Sequence, residues 1–335
     1  MNLLKVDLHT HILPERWPDL DAKYGYPGWV RLSHHGPGCA RMMIGDQPFR
    51  DVGANLWDPE VRLDECNRQG VDLQVLSTVP VMFSYWARPA DALDLSRLLN
   101  DHLAEVVARY PARFAGLGTV PLQAPELAIA ELTRCVRELG LSGVQIGTHV
   151  DDRNLDDPAL FSFFAAAAEL GAAVFVHPWE MLAKARMPKY WLPWLVGMPT
   201  ETALAASTLA FGGVLERLPT LRIGLAHGGG SWPWLLGRMT HGFAARPDLC
   251  AVDNPVSPEK YARRFFYDTL LHDTAALRYL VALAGAERVA LGTDYPFPLG
   301  ESEPGALIDS LSELDPLVRA RLLGGTALEF LGRTA

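Results

Sequence analysis

The chain has 335 residues, 49% of them hydrophobic, and a formal net charge of −9. That length suits one large barrel better than several small domains. The acidic balance, with no long basic run, excludes nucleic acid as an expected partner. No uncharged stretch reaches transmembrane length, so no membrane contact is expected, and the opening Met-Asn-Leu-Leu-Lys-Val-Asp has too short an apolar run for a signal peptide. Cys39, Cys66, Cys135 and Cys250 form no CxxC and read as free thiols in a reducing cytoplasm.

Taken in chain order, short apolar or β-branched runs predict strands at Leu4–Leu8, Leu73–Ser77, Ala115–Thr119, Val144–Gly147, Ala173–Val176, Arg222–Ala226, Phe265–Asp268 and Val289–Gly292. Helical patterns fall between them. Arg97–Arg109 is ended by Tyr110-Pro111, Glu126–Leu139 by Gly140 and Pro158–Leu170 by Gly171, which are ordinary stop signals. Alternating strands and helices imply a parallel sheet, and this number of repeats implies a closed (β/α)8 barrel. After the first strand, residues 13–57 are rich in Gly, Pro, His and Trp. That is too long for a plain connection and is expected to be an inserted flap over the barrel mouth. One domain, 1–335, is the simplest account.

Asp7-Leu8-His9-Thr10-His11 is the strongest local signal. Side chains alternate along a strand, so Asp7, His9 and His11 share a face, and at the C-terminal end of a barrel strand that face looks into the active site. Two imidazoles so placed can grip one ion. Three more polar residues close predicted strands: His177, His227 and Asp294. Any one of them alone is more readily a satisfied core residue. Together they imply one mouth lined by imidazoles and a carboxylate, a donor set that suits Zn²⁺ or a similar borderline ion. Spacing does not decide which of His177, His227 and Asp294 bind metal. The run Gly228-Gly229-Gly230 lets backbone approach a ligand closely, which suits a substrate-facing His227 able to accept a proton near neutral pH.

Longer blocks carry a resemblance. They are His9-Thr-His11-Ile-Leu-Pro, Phe49-Arg50, Trp57-Asp-Pro, Thr78-Val-Pro-Val-Met-Phe83, Gly143-Val-Gln-Ile-Gly147, His177-Pro-Trp179, Tyr190-Trp-Leu-Pro-Trp194, Ala226-His-Gly-Gly-Gly230 and Leu291-Gly-Thr-Asp-Tyr-Pro-Phe-Pro-Leu-Gly-Glu301. In these the chain resembles the amidohydrolase superfamily and, within it, the family of 2-amino-3-carboxymuconate-6-semialdehyde decarboxylases. The resemblance implies a zinc-dependent, non-oxidative decarboxylase of tryptophan (kynurenine) or nitroaromatic breakdown. It implies His9, His11, His177 and Asp294 as ligands of one Zn²⁺ per chain, with Co²⁺ able to substitute, and His227 as the acid–base residue. It implies Arg50 as a carboxylate-binding residue and Met181, Trp191, Trp194 and Phe297 as pocket wall. It also implies a homodimer in which Arg238 reaches across the interface. Two-metal members of the superfamily bridge their ions with a carboxylated lysine at the end of strand four. Gly143-Val-Gln-Ile-Gly-Thr-His149 has none, which implies a one-metal site. Glu180 and Trp232 depart from the family's usual Asp and Phe.

Rival expectations are a lactone or amide hydrolase, a hydroxybenzoate decarboxylase, and a non-catalytic barrel that keeps its ligands by descent. The full set of His227, Arg50 and Arg238 speaks against the last of these. His34-His35 in the flap reads as solvated, His149 could approach the mouth, and His102, His241 and His272 carry no site signal.

Overall fold

The computed structural model describes residues 3–333, so the outermost ends of the expected 1–335 domain lie outside the described residues. Its largest sheet has eight parallel strands: Val6–His11, Leu73–Ser77, Phe114–Gly118, Gly143–Ile146, Ala173–Val176, Arg222–Leu225, Phe266–Asp268 and Val289–Ala290. The last strand returns to the first. Leu8 N donates to Leu291 O at 2.8 Å, Asp294 N to His9 O at 2.8 Å, and Thr10 bridges Tyr295 in parallel. The chain thus folds as a (β/α)8 barrel. The predicted strands lie within a few residues of these, with one consequential shift. The first strand begins at Val6 and runs through His11, so the His-x-His pair is part of the sheet and does not follow it.

Strand register explains why polar residues gather at one end. All six residues of the first strand are buried, the apolar ones alternating with Asp7, His9 and His11. The other strands are mostly apolar, as strands covered on both faces tend to be, with Gln74, Ser77, Gln145 and Asp268 as buried polar exceptions. A continuous core between strands and helices includes Phe114, Leu132, Val144, Phe163, Val174, Leu209, Ile223 and Leu277. The helix expected at Arg97–Arg109 is longer, Pro89–Arg109, because Pro89 begins it and its buried stripe starts at Ala92. Sequence periodicity around Arg97 reports only the stretch packed on the barrel.

Residues 13–57, expected as a flap, contain a short helix, Leu20–Tyr24, and an antiparallel sheet of Val30–Gly36, Cys39–Ile44 and Gln47–Gly53. The sheet was not foreseen in the sequence. Its inner residues Val30, Ala40 and Met42 pack with Trp29, Leu56, Trp57, Val81 and Leu95 in a separate apolar cluster. The flap is therefore anchored, and it fixes Arg50 on its last strand.

Arg62 ties this region to the barrel. It sits on the helix Pro59–Gln69 and is fully buried. Its Nη1 donates to His11 O at 2.7 Å and Asn55 O at 3.0 Å, and its Nη2 to Thr10 Oγ1 and Gln74 Oε1, each at 3.0 Å. Its guanidinium lies 4.6 Å from the centre of the Tyr295 ring. Replacing Arg62 with Met leaves those buried acceptors without donors. We expect a loss of roughly 2–4 kcal/mol, read as a lower urea midpoint at unchanged slope. A shift below about 0.5 kcal/mol would show that the acceptors find other partners.

Candidate metal centre

The C-terminal ends of strands one, five, six and eight converge. His9 and His177 ring centres are 5.0 Å apart, His11 and His177 5.2 Å, His9 and His227 5.3 Å, and His177 and His227 5.0 Å. Asp294 Oδ1 lies 2.9 Å from His11 Nε2 and 3.5 Å from His9 Nε2. His9 Nε2 and His11 Nε2 face each other at 3.2 Å. One potential ligand atom from each of His9, His177, His227 and Asp294 also falls within 4.8 Å of the others. Proximity alone therefore does not separate His227 from the ligands.

Hydrogen bonding differs between the rings. His11 Nδ1 lies 2.9 Å from Thr78 O and His177 Nδ1 3.0 Å from Pro178 O. A carbonyl oxygen only accepts, so each Nδ1 carries the hydrogen and each Nε2 presents a lone pair. His9 Nδ1 is 2.7 Å from Asp268 Oδ2, which fixes the same tautomer. Three lone pairs and one carboxylate thus point into one buried space. His177 Nε2 is buried there with no hydrogen-bond partner. This donor set fits a tetrahedral N₃O ion. His227 is different: its Nδ1 is buried and partnerless, and no oxygen orients its ring.

The electrostatics do not make that division, since burial lowers His11, His177 and His227 alike. Burial, reinforced by His227, His9 and His11, pushes His177 well below its ordinary value, and burial lowers His11. Burial also acts against a charge on His9, but Asp268, Asp294 and Asp7 together overcome it and raise His9. Burial alone would raise Asp294, yet His11, His9 and His227 hold it far below the usual carboxylate range. Burial first, then the neighbouring His9, takes His227 from 6.5 down to about 4, so it is neutral at pH 7.

A cavity of about 290 Å³ opens onto the cluster. His11, His177, His227 and Asp294 line one side. Arg50, Trp191, Trp194 and Phe297 line it further out. Arg50 lies 4.3 Å from the Phe297 ring centre and 6.0 Å from that of Trp194. Burial lowers its pKa, but an arginine keeps its charge at neutral pH. Two expected site residues lie elsewhere. Met181 does not line the cavity; it is buried against Gly197, where the left-handed turn at Glu180 and the bond from Leu182 N to Glu201 direct it. Arg238 is exposed on the helix Trp232–Ala245 and does not line the cavity of its own chain.

Neither departure noted in the sequence lines the cavity. Glu180 is exposed, and Trp232 is fully buried against Phe265. His149 does not line the mouth; its ring nitrogens face the carbonyls of Asp151 and Glu180. Two residues that sequence reasoning passed over belong here. His272 lines the cavity from a left-handed backbone position. Asp268 ends strand seven and holds His9. The rule that singled out His177 and Asp294, a polar residue closing a barrel strand, would have found Asp268 as well.

Comparison with known proteins decides the family. The family profile described as "Amidohydrolase" matches residues 6–333. The chain is 60% identical to 2-amino-3-carboxymuconate-6-semialdehyde decarboxylase of Dictyostelium discoideum over 98% of its length and 92% of the relative's. It is 38% identical to the Caenorhabditis elegans enzyme of that name, over 98% and 94%. The chain belongs to the amidohydrolase family, among its decarboxylases. The crystal structure of 5-carboxyvanillate decarboxylase from Sphingomonas paucimobilis superposes with a TM-score of 0.84 at 26% identity, covering 99% of this chain and 100% of that one. On the strand where two-metal amidohydrolases carry a bridging lysine, this member has Gln145. It is fully buried, accepting from Ser77 Oγ at 2.8 Å and donating to Thr78 O at 2.9 Å. The carbonyl that orients His11 is thereby held in turn.

Because His9 holds a proton more tightly than an ordinary imidazole, an arriving ion must displace it. Calorimetry of Zn²⁺ binding near pH 6.5, in buffers of different ionisation enthalpy, should show release of protons on binding. Affinity should weaken as pH falls further and His9 becomes fully protonated. Binding without proton release would contradict the charge assigned to His9.

Proposed function

We propose that this chain catalyses the zinc-dependent, non-oxidative decarboxylation of 2-amino-3-carboxymuconate 6-semialdehyde to 2-aminomuconate 6-semialdehyde and CO₂, in the breakdown of tryptophan or nitroaromatics. One observation carries this reading: an oriented His/Asp donor set and an aromatic-flanked guanidinium line the same small cavity, in a chain 60% identical to a decarboxylase of that name. A substrate with separated carboxylates suits a cation at each end of such a cavity.

In this reading His9, His11, His177 and Asp294 hold one ion, Zn²⁺ or Co²⁺, and His227 does not. When bound, the ion supplies Lewis acidity at the reacting end of the substrate. Arg50 binds a substrate carboxylate, and the rings of Phe297, Trp194 and Trp191 confine the chain of conjugated bonds and limit water. The chemistry left to the protein is a proton balance. Losing CO₂ from an unsaturated carbon leaves an electron pair there, and a proton must replace the carboxylate. His227 is neutral at pH 7, so it can pick up one proton from bulk solvent and deliver it to that carbon; R–CO₂⁻ and H⁺ then give R–H and CO₂, and the imidazole returns to its neutral state. The C–C bond electrons then end in the new C–H bond. The whole chain acts as one domain, and its scattered thiols suit the cytoplasm.

We also propose a homodimer in which Arg238 serves the neighbouring site. The support is positional. Arg238 projects from a helix whose neighbours Trp234 and Leu235 are 56% and 41% exposed, and apolar exposure of that kind marks a contact surface.

Incubating the zinc-loaded protein with the carboxymuconate semialdehyde should consume its near-ultraviolet absorbance and release CO₂. His227→Ala should keep its zinc and lose about 10²–10⁴-fold in rate. No turnover of this compound, with turnover of a hydroxybenzoate instead, would move the chain to a different branch of the family's decarboxylases. A metal-free His227→Ala protein would make His227 a ligand. Mixing His227→Ala with Arg238→Ala should restore about a quarter of the wild-type rate if subunits exchange at random, since one site of each mixed dimer is intact. Demonstrated exchange without recovery would remove Arg238 from the neighbour's site.

A further inference from the structure

Asp268 has a bonding pattern that the proposed chemistry does not itself require. It ends the seventh strand and is fully buried, yet it is a carboxylate with no lysine or arginine bonded to it. Its Oδ2 accepts from His9 Nδ1 at 2.7 Å and from His227 N at 2.9 Å. Its Oδ1 accepts from Gly228 N at 2.8 Å and from Leu270 N at 3.1 Å. A buried anion is tolerable only when its lone pairs are met, and here side-chain and main-chain donors meet them.

The donors it has gathered are informative. His227 takes a left-handed backbone conformation (φ 56°), which L residues with side chains rarely adopt. Gly228, Gly229 and Gly230 continue with positive φ. A Cβ at Gly228 would meet Leu271 at 2.4 Å, and one at Gly230 would meet Pro199 O at 2.3 Å, so the segment has little room to relax. Successive N–H groups in such a turn point to one side and form a nest for an anion. Asp268 is that anion. Its fourth donor, Leu270 N, belongs to the segment Leu270–His272 that lines the cavity.

We infer that Asp268 is a positioning residue that couples the metal ligand His9 to the acid–base residue His227, one carboxylate fixing the tautomer of the first and the strained backbone of the second. The coupling rests on the acid–base role given to His227 above. It makes a specific demand on chemistry: the group must be an anion able to accept on both oxygens. An asparagine of the same shape presents an amide NH₂ at one of those positions, where it faces donors. A glutamate has the charge but is longer by one methylene.

The test uses the full-length holoenzyme. Asp268→Asn should bind Zn²⁺ about 10–100-fold more weakly in a chelator competition, as loss of a carboxylate behind a ligating imidazole does elsewhere. At saturating metal its kcat should still fall by about 10²-fold, because His227 is no longer held, while KM moves little. Wild-type zinc affinity in Asp268→Asn would overturn the inference. So would weakened zinc binding with normal kcat at saturating metal, since Asp268 would then act on His9 alone. If the variant does not fold, the wild-type protein still decides. Its ¹⁵N-histidine spectrum should show His9 protonated at Nδ1 with a far-downfield proton, and the amides of His227 and Gly228 should exchange with solvent among the slowest. A His9 bearing its hydrogen on Nε2, or fast exchange at both amides, would overturn it. Zinc affinity and the spectrum are read without substrate. They therefore test this coupling even if the wild-type enzyme fails to turn over the proposed compound.

Discussion

Three imidazole lone pairs and a carboxylate share one buried space at the barrel mouth, and most of the surrounding structure acts to keep them there. Electron pairs on His9 and His11 set 3.2 Å apart repel each other unless a cation or a proton lies between them. Each ring is held against that repulsion from behind. Thr78 O holds His11, Pro178 O holds His177 and Asp268 holds His9. Behind those partners stands a further layer. Gln145 braces Thr78, and Arg62 braces the carbonyl of His11. The carboxylates of Asp268, Asp294 and Asp7 raise the proton affinity of His9 against the effect of burial, so without an ion a proton is favoured there.

That constraint also supports the proposed division between His227 and the ligands. All four histidines are close enough to bind one ion. Three have a hydrogen-bond acceptor fixing Nδ1–H, and His227 has none. A ring meant to bind metal needs one fixed tautomer. A ring meant to move a proton must be able to accept and release one, and the structure orients His227 through its backbone while leaving Nδ1 unbonded. Arg50, carried by the flap and flanked by Phe297, places a guanidinium on the same cavity, where we propose that it binds a substrate carboxylate.

Much of this was legible in the sequence, because barrel strands are short, apolar and regularly spaced. A polar residue closing such a strand stands out, as His177, His227 and Asp294 do. The His-x-His pair was legible for the same reason, although the strand it sits on is shifted to Val6–His11. What escaped depends on tertiary contacts. The antiparallel sheet of the flap is encoded by strands such as Val30–Gly36, whose apolar alternation stops at Leu32 because a polar His34 takes the next inward position. Met181 follows His177 closely in sequence, yet a left-handed turn at Glu180 directs it beneath the wall, a conformation that a Glu does not advertise. His272 reaches the cavity only because its loop is folded back beside Asp268. Arg62 reads as an ordinary helix-surface arginine until the first strand is seen to pass over it.

The claim on which the rest depends is that one ion is held by three Nε2 atoms and Asp294, with His227 outside its coordination. X-ray absorption at the zinc edge of the loaded protein measures this directly. The account predicts imidazole nitrogen scattering at about 2.0–2.1 Å, from three histidines together with oxygen. It predicts the same number of imidazoles in His227→Ala and no metal–metal vector. A metal–metal distance of about 3.5–4 Å, or loss of an imidazole from the shell of the His227→Ala protein, would contradict it.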